Sequence, residues 1–158
     1  MSCMSRLAPA KGFTLIEILV VMGLFALLAG LGLMVSMDTY RGSSFRADRD
    51  LFVALLQHAR AQAVNNICTG TCTDGAAHGV GVAAGAYTVF QGSSYGARDA
   101  SQDQTFTASP MVTPSGDTEV VFEQLTGAVV SQRVIVLNGD GKVSTTTIET
   151  NGRIWWTN

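Results

Sequence analysis

The strongest constraint on this chain lies between Ile18 and Met37, twenty consecutive residues without a charge and with Ser36 as the only polar side chain. As a helix, such a run is about the length needed to cross roughly 30 Å of hydrocarbon. It is a membrane-spanning candidate. Arg6 and Lys11 precede it with no acid among the first twelve residues, which keeps that end in the cytoplasm and places the rest outside. An ordinary secretory signal has an apolar core of about 7 to 15 residues followed by a small-residue cleavage site. This run is longer, and it carries a carboxylate, Glu17, at its entrance.

Helical periodicity continues beyond the apolar run. Phe45, Phe52 and Ala59, with Leu55, Leu56 and Ala63, recur at three- to four-residue spacing, and Arg46, Arg49, Asp50 and Arg60 fall between them. The economical reading is one helix from about Phe13 to Asn65, roughly 80 Å long at 1.5 Å per residue. Its outer half is amphipathic and needs a partner for the apolar stripe.

The remainder supplies that partner. Short β-like runs separated by Gly, Asn, Asp and Ser are expected near Gly79 to Ala83, Tyr87 to Phe90, Glu119 to Phe122, Arg133 to Leu137, Val143 to Glu149 and Arg153 to Trp156. Gly92 to Pro114 reads as a long loop with one strand around Thr105 to Ala108. Asn138 to Lys142 reads as a hairpin turn: Lys142 stands where a calcium loop would need an oxygen ligand. The expected fold class is α+β, a long helix packed on an antiparallel sheet.

Charge argues against a general nucleic-acid binder. Without residues 1 to 12 the chain has 8 basic and 12 acidic residues, and beyond Ile67 it has four basic against eight acidic, a net −4 in each case. A phosphate-binding surface needs a basic stripe. No Ser/His/Asp set, paired carboxylates or phosphate-cradling glycine loop stands out in the globular part. Neither catalysis nor a cofactor is expected.

The segment Gly12-Phe13-Thr14-Leu15-Ile16-Glu17, preceded by Lys11 and followed by twenty apolar residues, resembles the processing site of type IV prepilins and type II secretion pseudopilins. That resemblance implies a pilin-like fold and a membrane-embedded peptidase that cuts after Gly12 on the cytoplasmic side and N-methylates Phe13. It implies four regions: a leader, 1–12; a transmembrane, filament-core half of the helix, 13–37; an amphipathic half, 38–66; and a β-rich globular domain, 67–158. It also implies assembly through the helix with other pilin subunits, on a platform in the cytoplasmic membrane, from which the globular domain projects outside the cytoplasm.

Physical roles for the motif can be read from its residues. Glycine at position 12 lets a protease approach the backbone closely. A charge at mid-bilayer costs roughly 2.5 to 3.5 kcal/mol on insertion scales and less near the interface. An opposite charge at about 4 Å returns on the order of 4 kcal/mol at an effective dielectric near 20. In the family's assembly, the cation paired with Glu17 is the Phe13 amine of a neighbouring subunit, which exists only after cleavage. Gly23, Gly30 and Gly32 weaken the helix by about 1 kcal/mol each relative to Ala and suit close helix packing. Many major pilins have a proline where Met34 stands, which favours a minor pilin or pseudopilin.

Three further stretches are similar to the GspH/FimT group: Ala59-Arg60-Ala61-Gln62-Ala63-Val64-Asn65-Asn66, then His78-Gly79-Val80-Gly81-Val82 with Tyr87-Thr88-Val89-Phe90, then Phe122 to Gly127 with Gly152-Arg153-Ile154. The implied role is a minor subunit at or near a filament tip. Some members of that group take up DNA through a Gly-Arg-x-Arg turn; here Arg153 is kept and Trp155 replaces the second arginine. Trp155 and Trp156 offer faces for stacking on single-stranded bases, which makes Arg153 and Trp155 the candidate DNA contacts of a competing reading. Cys3 falls in the leader, leaving Cys68 and Cys72 as a pair in an oxidising compartment, where a disulfide is expected. His58 and His78 are possible zinc ligands beside those cysteines, but the spacing matches no familiar site and no metal is expected.

Overall fold

The computed structural model describes residues 13–70 and 72–158, with the side chains of 33–41 left aside. The expected cut at Gly12, the leader and Cys3 lie outside the described residues. Helix α1 runs over Leu15–Val64. The chain divides into two compact units between Tyr40 and Arg41, and α1 contributes to both.

Thr14 stands at the N-cap of α1 in the first unit. The Glu17 N–H donates to Thr14 Oγ1 at 3.4 Å and to Thr14 O at 3.1 Å, so one of the donors exposed at the start of the membrane candidate is capped. The window Leu15–Gly32 is long and apolar enough to cross a membrane, and none of it is buried within the chain. Apolar side chains point outward all round it: Leu15, Ile16, Leu19, Leu24, Phe25 and Leu28 are each more than half exposed. A helix apolar on every side requires lipid or other helices around it.

Among its described residues the second unit has eight strands: β1 (His78–Ala83), β2 (Ala86–Gln91), β3 (Gln104–Thr107), β4 (Thr113–Gly116), β5 (Glu119–Phe122), β6 (Arg133–Gly139), β7 (Lys142–Ile148) and β8 (Ile154–Thr157). They form two antiparallel four-stranded sheets, β3-β2-β1-β5 and β4-β6-β7-β8. The expected α+β arrangement of a helix packed on antiparallel sheet is met, with the strands divided between two sheets. The expected Gly92 to Pro114 loop is also shorter than its composition suggested. It contains two 3₁₀ turns at Tyr95–Ala97 and Ala100–Gln102, then β3, and β4 begins at Thr113. Both strands are sheet edges, where exposed polar residues and Pro114 are tolerated. Their sequence therefore lacks the apolar alternation of an inner strand.

The expected stripe is the spine of the core. Phe45, Phe52, Leu55, Leu56, Ala59 and Ala63 are all buried, in one cluster with Val80, Tyr87 and Val120 of the first sheet and Ile135, Leu137 and Ile148 of the second. Asp48 falls on the same stripe and is also buried. Its Oδ2 accepts from the Tyr87 hydroxyl at 2.7 Å and its Oδ1 from the Ser109 N–H at 2.8 Å. One carboxylate thus ties α1 to β2 and to the β3–β4 connection.

At its C-terminal end, α1 closes with Asn66 in the left-handed region (φ 54°), Asn66 N–H on Ala63 O at 3.1 Å and Ile67 N–H on Gln62 O at 3.0 Å. This is a Schellman closure with asparagine in glycine's usual place. The β6–β7 hairpin turns at Asp140 (φ 46°) and Gly141 (φ 73°) between the paired residues Gly139 and Lys142, the type I′ geometry that Asp-Gly favours.

Burial, then the Asp48 hydrogen bond, raises the Tyr87 hydroxyl well above its ordinary value near 10. A raised folded-state value contributes stability below the unfolded-state value and loses it as pH rises. The unfolding free energy should therefore fall above about pH 10, by up to about 1.4 kcal/mol per pH unit from this group. In denaturant titrations, Tyr87→Phe should cost about 1–3 kcal/mol at pH 7 by stranding a buried carboxylate oxygen, and should flatten the alkaline slope.

Candidate functional site

Two regions carry the expected functional residues. At the start of α1, Phe13 and Glu17 are exposed, and Glu17 lies in the first helical turn. Unsatisfied amide dipoles there favour a negative charge by roughly 0.3–1 kcal/mol. Thr14 was not singled out in the sequence. The Thr-x-x-Glu spacing of Thr14 and Glu17 ahead of an apolar run is the sequence signature of a capping box and marks the cap.

The second region is the C-terminal end of α1. Here Arg60, Gly127 and Gly152, far apart in the sequence, converge. Arg60 Nε donates to Gly127 O at 3.3 Å and Arg60 Nη2 to Asn151 O at 3.4 Å. Gly127 (φ 62°) and Gly152 (φ 77°) close around it: a Cβ on Gly152 would sit 2.7 Å from Arg60 Nε and closer still to Gly127 O. The Leu125 N–H donates to Ala63 O at 2.9 Å, fastening the turn after β5 to the helix end. The glycines are therefore needed because backbone and guanidinium occupy the space a side chain would take.

The other motif residues have packing roles. Tyr87 faces α1, with its ring 5.0 Å from that of Phe52. Phe90 faces the other side of the first sheet and meets Tyr95 edge-on at 5.5 Å. A Cβ on Gly79 would fall 2.5 Å from Phe90 Cζ, and one on Gly81 2.6 Å from the Tyr95 ring. Glycine in β1 thus makes room for aromatic side chains lying over it. Arg98 holds Tyr95 in place, with its guanidinium 3.7 Å from the ring centre and its Nε donating to Asp103 Oδ2 at 2.8 Å.

Cys68 and Cys72 are bonded, with Cα atoms 5.9 Å apart. Two buried polar side chains at one end of the first sheet hold this loop. His78 and Gln91 are directly paired across β1 and β2. His78 Nε2 lies 2.9 Å from Ile67 O, so that nitrogen carries the proton. The Gln91 amide accepts from Thr69 N–H at 2.8 Å and donates to Thr69 O at 3.1 Å and to Cys72 Sγ at 3.3 Å. His78 therefore serves as a backbone clamp. His58 is exposed on α1, and among the described residues no three His, Cys, Asp or Glu side chains gather into a metal site.

Arg153 lines an open groove of about 780 Å³ together with Gln57, Arg60, Asn65 and Asn151. Trp155 is not among the residues lining it. Trp156 lies on the Arg49 side of β8, with the Arg49 guanidinium 6.0 Å from its ring centre. Trp155 is the next residue along the strand and points to the opposite face. The two indoles therefore do not form one stacking platform.

The family model for the prokaryotic N-terminal methylation motif matches residues 8–37, the apolar helix start with Phe13, Thr14 and Glu17. The chain carries this motif, and the motif is consistent with a type IV pilin-like protein. The match covers 30 of the 158 residues, and the helix followed by antiparallel sheets is the arrangement that goes with it. No curated protein and no solved structure matches the chain.

The Arg60 lock yields a discriminating stability test. Gly152→Ala combines a left-handed backbone with steric overlap and should cost on the order of 3 kcal/mol or more. Gly85→Ala has a similar φ of 81° but no neighbour within 4 Å, and should cost only about 1–2 kcal/mol. Thermal unfolding of both variants measures the difference.

Proposed function

We propose that this pilin-like chain is a structural minor pilin or pseudopilin of GspH/FimT type, part of a type IV pilus or type II secretion pseudopilus at or near the filament tip. The prepilin peptidase cuts after Gly12 and methylates Phe13. The subunit waits in the cytoplasmic membrane with its globular unit outside the cytoplasm, and the assembly platform then moves it into a filament. The observation that carries this reading is the methylation motif on a helix whose first unit leaves its apolar side chains unburied. The GspH/FimT assignment is supported by the meeting of Arg60, Gly127 and Gly152, three separated pieces of that resemblance, at one structural lock.

In this account Glu17 is the assembly contact. Its carboxylate, one turn into α1, pairs with the Phe13 amine of a neighbouring subunit, a cation created by processing and kept charged by methylation. Cleavage thereby makes the subunit competent to assemble.

The competing reading is a DNA-binding tip module of an uptake pilus. In its favour, Arg60 and Arg153 line one groove. Against it, Arg60 is engaged by two backbone carbonyls and the two indoles point apart.

Glu17→Ala should leave processing and membrane insertion intact and reduce recovery in sheared filament fractions by at least tenfold. Unchanged recovery would remove the pairing role. In a gel-shift titration at low salt, the detergent-solubilised chain should leave single- and double-stranded DNA unretarded, and retardation lost in Arg153→Ala would favour the competing reading.

A further inference from the structure

Seven cationic side chains of the second unit are described, and the three salt bridges among the described residues take Arg49, Arg98 and Arg133. The remaining four, Arg46, Arg60, Lys142 and Arg153, have no carboxylate partner among the described residues. They fall in two grooves. Arg60 and Arg153 share the groove at the C-terminal end of α1, where Arg60 is committed to backbone carbonyls. Arg46 and Lys142 share the other, of about 310 Å³, with Phe45, Arg49, Val143 and Asn158 among its walls.

That second groove is built where α1 enters the globular unit. The β6–β7 turn reaches the helix at Gly42, so that a Cβ there would fall 2.5 Å from Lys142 Nζ, and Phe45 packs on Gly139 of the same hairpin. Arg49 is pinned by Asp50 at 2.8 Å and by Asn158 Oδ1 at 2.6 Å. Its third cationic head thus borders the groove in a fixed position, while Arg46 and Lys142 remain exposed. Val143, half exposed, adds an apolar wall beside the cations.

The tether fixes what this groove meets. Only nine residue steps separate Met37, the end of the uncharged run, from Arg46. They reach about 14 Å as helix and at most about 32 Å fully extended. Once the apolar run is in a bilayer, the groove stays within reach of the headgroups. Among the described acids next to these residues in sequence, Asp48 is taken by Tyr87 and the Ser109 amide, Asp50 is taken by Arg49 and Asp140 has a partner of its own.

We propose that the Arg46–Lys142 groove binds the headgroup of an anionic phospholipid in the outer leaflet, docking the globular unit on the membrane before assembly. The phosphate meets the guanidinium and ammonium groups, and Val143 lies against the glycerol and upper acyl carbons. The inference rests on the membrane-anchored reading above. Each basic side chain at an anionic surface strengthens attachment about fivefold, so the two free cations together give roughly 25-fold, and salt weakens the attachment.

The test uses the full chain in nanodiscs of phosphatidylcholine alone or with phosphatidylglycerol, each doped with a photoactivatable lipid of the same headgroup. Crosslinks are mapped by mass spectrometry. The expected result is labelling at Gly141–Val143 at least fivefold higher with the anionic lipid, falling to the zwitterionic level in the Arg46→Gln, Lys142→Gln double variant, whose melting temperature stays unchanged. Equal labelling with both lipids, or labelling unaffected by the double variant, would overturn the proposal. Loss of labelling on adding millimolar inorganic phosphate would make the groove a soluble-anion site and also overturn it. Failure to co-fractionate with nanodiscs of either composition would instead overturn the membrane-anchored reading.

Discussion

The globular unit depends on one stripe of α1. Phe45, Phe52, Leu55, Leu56, Ala59 and Ala63 bury against both sheets, and truncating a fully buried Phe such as Phe52 in a setting of this kind costs about 3–5 kcal/mol. The two sheets share no strand, so the helix stripe is what makes one core of them. Asp48 gives that packing a definite register. An apolar stripe alone tolerates sliding, whereas a carboxylate that must meet both Tyr87 and the Ser109 amide fixes where the helix lies.

The same helix has two solvents. From Leu15 to Gly32 its apolar side chains face outward and are covered only by lipid or by other helices; from Phe45 to Ala63 they are covered by the chain itself. That division is what the proposed pilin-like role requires. One half is complete as folded, and in the proposed assembly the other is completed by its surroundings, first a membrane and then neighbouring helices. Loss of a side chain in the first half therefore affects insertion and assembly, while loss in the second half affects folding.

Much of this was legible in the sequence because its signals were periodic or chemically narrow. The stripe from Phe45 to Ala63, strands β1, β2 and β5, and the Asp-Gly hairpin lie where spacing and turn chemistry put them. Strand β4 was not legible, because Thr113-Pro114-Ser115-Gly116 is an edge strand whose pairing comes from β6 and whose own residues have no β signature. The division into two sheets was likewise hidden, since strand order is a tertiary property. Asp48 could have been found: a lone acid on an apolar stripe demands a buried partner. The roles of Arg60, Gly127 and Gly152 could not, because each is explained only by the other two, which lie far away in the chain.

The most direct test of the central claim, that this is a processed pilin-like subunit with an oxidised globular unit, is the intact mass of the chain purified from bacterial membranes without reductant. The account predicts a chain beginning at Phe13, heavier by one methyl substitution for hydrogen and lighter by the two hydrogens lost on joining Cys68 to Cys72. A mass that retains residues 1 to 12, or one that begins beyond the apolar run as an ordinary signal peptide would leave it, would contradict the account.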